Sequence, residues 1–250
     1  MDKIFSLPKS LRNISTHYCA GCGHGIAHRL VAEVVDELGI REKVIAVAPV
    51  GCAVIAYDYW DFDCTEAAHG RALAVATAIK RVRPDNIVFT YQGDGDLAAI
   101  GTNETIHTAN RGENLTVIFI NNAIYGMTGG QMAPTTLPGQ KASTCPTGRD
   151  TATTGYPIRI CEMLDTLQAP AMIARTMLDG PAGVRKTKAL LKKAFQCQLD
   201  GKGFSLIEVL SPCPVYMRME PQQAMEHVRK NVSAYFPLKV LREPATEQAK

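Results

Sequence analysis

Short apolar runs rich in β-branched residues alternate with stretches of helical periodicity, and this alternation restricts the fold more than any other feature. The runs are Val44–Ala48, Ile87–Tyr91, Leu115–Ile120, Ala171–Arg175 and Ser205–Leu210. Each suits a strand buried on both faces of a parallel sheet. Between them, Gly25–Leu38 places Ile26, Leu30, Val31, Val34 and Leu38 on one stripe and stops at Gly39, a natural C-cap. Ala67–Val82, Leu97–Asn110, Pro157–Gln168 and Val184–Leu199 read as further helices. Strands alternating with helices predict an α/β fold with a doubly wound, mostly parallel sheet. Ligands of such sheets bind outside the carboxyl ends of the strands, so the residues after each strand are the candidates for chemistry.

At 250 residues the chain is expected to form one domain over residues 1–220, with a helix and tail over 221–250. The tail holds an amphipathic helix at Pro221–Val232 and is expected to pack on a partner subunit. Asn122–Thr154 breaks the rhythm: it is rich in Gly, Thr and Pro and has little periodicity. A loop of about thirty residues in a compact domain is usually functional or disordered. The net charge of +3 comes without a Lys/Arg block, which argues against nucleic acid but leaves room for a basic face docking an acidic electron carrier. The strongly apolar runs are too short to span a bilayer, and Met1–Arg12 has no apolar signal core, so the expectation is a cytoplasmic protein off the membrane. Eight cysteines are many for that compartment, where structural disulfides are rare; a metal, a cluster or redox chemistry is the better expectation.

The strand Ile87–Tyr91 runs into Gln92-Gly93-Asp94-Gly95-Asp96. Gly93, Gly95 and Ala98 match a dinucleotide fingerprint. Asp94, however, sits inside the turn, where its carboxylate would repel a pyrophosphate unless a divalent cation bridged the two. The acid a dinucleotide fold wants, Glu113, comes before the strand Leu115–Ile120, at the wrong end. The metal reading instead asks for an oxygen ligand at a neighbouring strand end, and Leu115–Ile120 finishes in Asn121-Asn122. Parallel neighbours would bring Asp94 and Asn122 to one sheet edge, where oxygen ligands and phosphates suit octahedral magnesium. An ordinary Gly-Asp-Gly turn and a polar strand end are the bland alternative, and their joint occurrence at two strand ends weighs against it.

Gly93-Asp94-Gly95 followed by Asn121-Asn122 resembles the thiamine-diphosphate signature and the pyrophosphate-binding domain of that enzyme superfamily. The resemblance implies magnesium bound by the side chains of Asp94 and Asn122 and the carbonyl of Ile124. Gly126 and Met127 would lie at the cofactor, with Met127 propping thiamine in its bent form.

Cys19-Ala20-Gly21-Cys22-Gly23-His24 carries a C-x-x-C motif just before the first helix, whose N-terminus favours negative charge. A zinc knuckle, a redox disulfide and part of an iron–sulfur site are all compatible with it. Cys52 and Cys213 follow the strands Val44–Ala48 and Ser205–Leu210, at the same edge as the Gly93-Asp94-Gly95 turn. Four thiolates suit a [4Fe–4S] cluster or a Cys₄ zinc site, and proximity to a cofactor that gives up electrons favours iron. Cys64, Cys145, Cys161 and Cys197 fit no ligand pattern.

Tyr18-Cys19-x-Gly21-Cys22-Gly23, Gly51-Cys52 after the first strand, and His69-Gly70-Arg71-Ala72 together resemble the β subunit of 2-oxoacid:ferredoxin oxidoreductases, over about Cys19 to Cys213. The resemblance implies a [4Fe–4S] cluster on Cys19, Cys22, Cys52 and Cys213. It also implies thiamine diphosphate contacts from Gly51, Cys52, Ala53, His69, Gly70, Gly93, Gly95 and Asp96. The implied reaction is oxidative decarboxylation of a 2-oxoacid with coenzyme A, electrons passing to ferredoxin. No catalytic residue is expected in this chain: the activating glutamate would come from an α subunit with a pyrimidine-binding domain, and γ and δ subunits are expected partners. The apolar run Cys52–Tyr57 favours a branched-chain 2-oxoacid such as 2-oxoisovalerate, with a 2-oxoglutarate enzyme as the alternative. A non-redox thiamine enzyme with structural zinc is the rival of another class.

Overall fold

The computed structural model describes residues 6–244; the first five residues of Met1–Arg12 and the last six of the tail lie outside the described residues. Helix α1 (Gly23–Leu38) closes on Gly39 in the left-handed conformation, as the sequence requires. The strands are β1 (Val44–Pro49), β2 (Asp63–Ala67), β3 (Ile87–Gly93), β4 (Thr116–Asn121), β5 (Met172–Met177), β6 (Ser205–Leu210) and β7 (Val240–Arg242). They form one sheet in the order β2-β1-β3-β4-β6-β5-β7, parallel throughout except that β7 runs antiparallel beside β5. The expected doubly wound α/β architecture is therefore present.

Two apolar layers explain why the strands read as continuous apolar runs. Successive residues point to opposite faces. Phe89, Tyr91, Ile118, Ile120 and Ile207 pack toward α1 and the helix Pro181–Leu199. Val88, Val117, Phe119 and Leu206 pack toward Leu73 and Ala76 of the helix Ala72–Val82 and toward Leu97, Ile160 and Leu164. Neither face of the central strands meets water.

Four readings of the sequence are corrected by the structure. The first turn assigned to the helix Ala67–Val82 is not helical: the chain runs as β2 through Ala67, and the helix begins only at Ala72. The strand was missed because Asp63 and Glu66 are exposed at the sheet edge, where charge is tolerated. The stretch Leu97–Asn110 is broken at Gly101 into a π-turn (Asp96–Ile100) and an α-helix (Thr102–Asn110). Pro157–Gln168 shortens to Ile160–Asp165, and the tail helix Pro221–Val232 is α-helical only over Pro221–His227 before a π-turn at Val228–Val232. The tail also packs on its own chain: Val228, Val232 and Phe236 are buried with Leu137, Met177 and Leu210.

Candidate functional site

Strand register brings the two polar turns together. Gly93 lies opposite Ile120 in the β3–β4 ladder, and Asn121 lies opposite Leu210 in the β4–β6 ladder. The residues that follow, Asp94, Asn122 and Ser211 onward, emerge at one sheet edge.

Asp94 is buried. Its Oδ1 accepts from the Gly95 N–H (2.8 Å), and its Oδ2 accepts from the Thr135 hydroxyl (2.6 Å). Burial pushes the carboxyl up to about 6, against the pull of Thr135 and of backbone N–H groups at Gly95, Ala123 and Ile124. Its charged form is disfavoured by burial, and a bound cation would favour it. Gly95 is a packing requirement: a Cβ there would lie 2.1 Å from the Tyr125 ring, whose hydroxyl donates to the Gly95 carbonyl (3.1 Å). A Cβ on Gly93 would meet nothing within 4 Å, so the backbone there is open to close approach by a ligand.

The turn after β4 is built by its own side chains. Asn122 Oδ1 accepts from the Ile124 N–H and Asn121 Oδ1 from the Ala123 N–H, both at 3.2 Å. Ala123 has φ of 60°, a left-handed conformation rare for a residue with a Cβ. Its carbonyl accepts from the Thr136 hydroxyl (2.8 Å) and from Gln140 Nε2 (3.0 Å). The long loop thus folds back beneath the site to hold both turns. Thr135, Thr136 and Gln140 carry no signal in the sequence, because nothing in an aperiodic Thr/Pro/Gly segment marks which polar side chain folds inward.

A cavity of about 80 Å³ lies between the turns. Gly51, Cys52, His69, Gly93, Asp94, Gly95, Asp96, Asn122, Ile124, Gly126 and Met127 line it, joined by His24, Val50, Tyr125 and Thr128. Two expected contacts do not line it. Ala53 packs into the core, and Gly70 donates its N–H to Asp96 Oδ1 (2.5 Å). The same Asp96 oxygen accepts from His69 Nδ1 (2.5 Å), and Gln92 Nε2 donates to the other (2.7 Å). Asp96 therefore orients His69 at the cavity wall.

The four cysteines that the sequence grouped, Cys19, Cys22, Cys52 and Cys213, line a second cavity of about 190 Å³ with His17, Tyr18 and Tyr216. The Gly23 N–H donates to the Pro212 carbonyl (3.2 Å), and a Cβ on Gly23 would lie 2.1 Å from Ser211 Oγ. This close crossing carries the C-x-x-C loop to Cys213, two hundred residues away in order of magnitude along the chain. Burial, reinforced by the neighbouring thiols, pushes Cys22 and Cys52 up to about 11 and Cys213 to about 12. The bare thiols stay neutral, and a cationic centre is what would deprotonate them. They border a cavity rather than meet at a point: among the described residues, no three His, Cys, Asp or Glu side chains stand close enough to hold one metal ion.

The two cavities share Cys52, Asn122, Gly126 and Met127. A Cβ on Gly126 would press on Cys52 Sγ at 3.2 Å and touch Cys213 Sγ at 3.7 Å and Asn122 Nδ2 at 3.9 Å, so this residue sits where the two cavities meet. His24, buried and held neutral by desolvation, hydrogen-bonds the Tyr91 hydroxyl (2.8 Å) and stacks on Tyr18. His28 stacks on Trp60 in the core. Of the remaining cysteines, Cys161 and Cys197 are buried away from both cavities and Cys64 and Cys145 are half-buried.

Among the described residues no helix is long and apolar enough to cross a membrane. Residues 49–209 match the family described as thiamine pyrophosphate enzyme, C-terminal TPP binding domain. The chain is 50% identical, over 98% of its length, to the ketoisovalerate oxidoreductase subunit VorA of Methanothermobacter thermautotrophicus. It spans about half the length of that protein (54%). It is 42% identical to the 2-oxoglutarate synthase subunit KorB of Methanocaldococcus jannaschii, over 80% of this chain and 70% of that one. The solved 2-oxoglutarate:ferredoxin oxidoreductase from Magnetococcus marinus, with 2-oxoglutarate, coenzyme A and succinyl-CoA bound, superposes with a TM-score of 0.78 at 26% identity. That match covers 98% of this chain and 87% of the other.

Proposed function

The chain belongs to the thiamine pyrophosphate enzymes, as a β-type subunit of the 2-oxoacid:ferredoxin oxidoreductases, and from this we propose that it carries the thiamine-diphosphate–magnesium half-site and a [4Fe–4S] cluster of an enzyme that oxidatively decarboxylates 2-oxoisovalerate. The observation that carries the proposal is the common wall: Cys52, Asn122, Gly126 and Met127 border both the four-cysteine cavity and the Gly-Asp-Gly cavity. A centre that releases electrons and a centre that takes them up would sit side by side.

The residues fit these groups. Asp94 and Asn122 by side chain and Ile124 by carbonyl would hold magnesium, with Thr135 orienting the Asp94 carboxylate. Ionisation of Asp94 is coupled to cation binding, because burial alone keeps it near-neutral at mildly acid pH. His69, fixed by Asp96, and Met127, which borders both cavities, face the cofactor space. Cys19, Cys22, Cys52 and Cys213 would hold the cluster. Four thiols suit zinc as well as a cluster; what favours the cluster is that their cavity shares a wall with the thiamine cavity, where a redox centre has a use and a structural zinc has none. When bound, thiamine diphosphate supplies electron-sink chemistry for decarboxylation and the cluster supplies one-electron steps.

The substrate reading follows the walls. Neither cavity is lined by Lys or Arg from this chain among the described residues. The second carboxylate of 2-oxoglutarate would find no cation here, while an isopropyl group needs none. The 50% identity to a ketoisovalerate subunit points the same way. The activating glutamate is assigned to an α subunit bearing the pyrimidine-binding domain. Further γ and δ subunits, ferredoxin, coenzyme A and a cytoplasmic setting complete the proposal. The test is kcat/KM of the assembled complex with a low-potential acceptor. A preference of about tenfold or more for 2-oxoisovalerate over 2-oxoglutarate, strictly dependent on coenzyme A, is expected. Preference for 2-oxoglutarate would overturn the substrate assignment.

A further inference from the structure

Arg175 and Glu208 face each other in the β5–β6 ladder, both fully buried. Burying an ion pair in a sheet core costs desolvation and is a poor device for stability alone, which raises the question of what this one holds. Glu208 Oε2 accepts from Arg175 Nε (2.7 Å) and from the Cys161 thiol (3.0 Å), and Oε1 accepts from Asn121 Nδ2 (2.7 Å). Donors thus approach both oxygens, an arrangement that only a carboxylate satisfies. With its Nδ2 pinned to Glu208, Asn121 must present Oδ1 to the Ala123 N–H. Ala123 is the residue in the left-handed conformation between Asn122 and Ile124. On its far side, Arg175 binds both Glu162 oxygens (2.8 and 2.6 Å) and donates to the Pro237 carbonyl (3.2 Å). A hydrogen-bonded chain therefore runs from half-exposed Glu162, through Arg175, Glu208 and Asn121, to the turn at the cofactor cavity.

We propose that Glu208 is a positioning residue for the magnesium-binding turn, acting through Asn121 to hold Ala123 in the conformation that presents Asn122 and Ile124. The inference rests on the reading of that turn as a metal site. Glu208→Gln retains one acceptor oxygen and turns an N–H₂ donor toward either Arg175 or Asn121, so Asn121 is released to flip. In the purified complex, the magnesium concentration that half-saturates thiamine diphosphate binding, followed by titration calorimetry, is expected to rise about tenfold, the scale of residues that orient metal ligands. Glu162→Gln disturbs Arg175 equally but leaves the Glu208–Asn121 bond intact; it is expected to lower Tm yet move the magnesium requirement by less than about twofold. Should Glu208→Gln fail to assemble, the double variant Arg175→Met with Glu208→Met leaves no buried unpaired charge and is expected to show the same rise. An unchanged magnesium requirement in the Glu208 variants, or an equal shift in Glu162→Gln, overturns the proposal. Wild-type complex that binds thiamine diphosphate without magnesium would instead overturn the underlying site reading.

Discussion

Asp94→Asn is expected to stabilise the metal-free protein at alkaline pH while removing its response to magnesium. The carboxyl is buried and pushed up from its ordinary 3.8 to about 6. At about 1.4 kcal/mol per pH unit, ionised Asp94 costs the empty fold about 3 kcal/mol relative to the unfolded chain. The sign follows from the raised pKa: stability is full below 3.8 and is lost as pH rises through about 6. An asparagine keeps an acceptor for the Gly95 N–H and turns its N–H₂ toward the Thr135 hydroxyl, which can accept instead of donate. Allowing about 1 kcal/mol for the weaker, uncharged bonds leaves a gain of about 2 kcal/mol at pH 8, or about 6 °C in Tm. Urea denaturation of both proteins in chelator at pH 8 and pH 5 measures it. At pH 5, where native Asp94 is largely protonated, the ionisation cost drops to about half and the advantage should fall by about two-thirds, to less than about 1 kcal/mol. An Asp94→Asn protein that is less stable than wild type at pH 8, or whose difference ignores pH, would refute the reasoning.

Three further outcomes are expected. Gly126→Ala puts a methyl 3.2 Å from Cys52 Sγ, close enough to push that sulfur by a few tenths of an ångström, and in ordinary contact with Cys213 Sγ at 3.7 Å; iron and acid-labile sulfide per chain should fall measurably with unchanged far-UV circular dichroism, as Cys52 is shifted from its ligand position. Arg175→Met alone leaves Glu208 buried and unpaired and should cost about 3–5 kcal/mol by urea denaturation, most of it recovered when Glu208→Met is added. Cys213→Ser should abolish the visible chromophore, whereas Cys197→Ser, at a buried thiol that lines neither cavity, should leave its absorbance per chain unchanged.

The parts of the fold legible in the sequence are those set by local periodicity. Ser205–Leu210 is a strand over those very residues, and α1 stops at Gly39, because an apolar run and a left-handed cap are encoded where they act. Asp94 and Asn122 were legible as neighbours because parallel register converts two strand ends into one site. The charged edge strand β2 was not, since half-exposed positions carry no apolar run. Glu208, one acid among the apolar residues of Ser205–Leu210, reads from the sequence only as a strand position. Its meaning lies in Asn121, 87 residues away. Thr135 reaches Asp94 across 41 residues of chain by a fold-back that no period announces. Long-range polar contacts are set by tertiary geometry, and the sequence states only their two ends.

The central claim, a cluster beside a thiamine site, is tested most directly by the visible spectrum of the anaerobically purified complex, with iron, sulfide, zinc and thiamine diphosphate assayed on the same sample. The expected result is a brown protein with four irons and four sulfides per chain at Cys19, Cys22, Cys52 and Cys213, on the order set by a [4Fe–4S] centre, partly bleached by 2-oxoisovalerate with coenzyme A. A colourless protein carrying stoichiometric zinc would contradict it, leaving the thiamine site in place and removing the electron-transfer role.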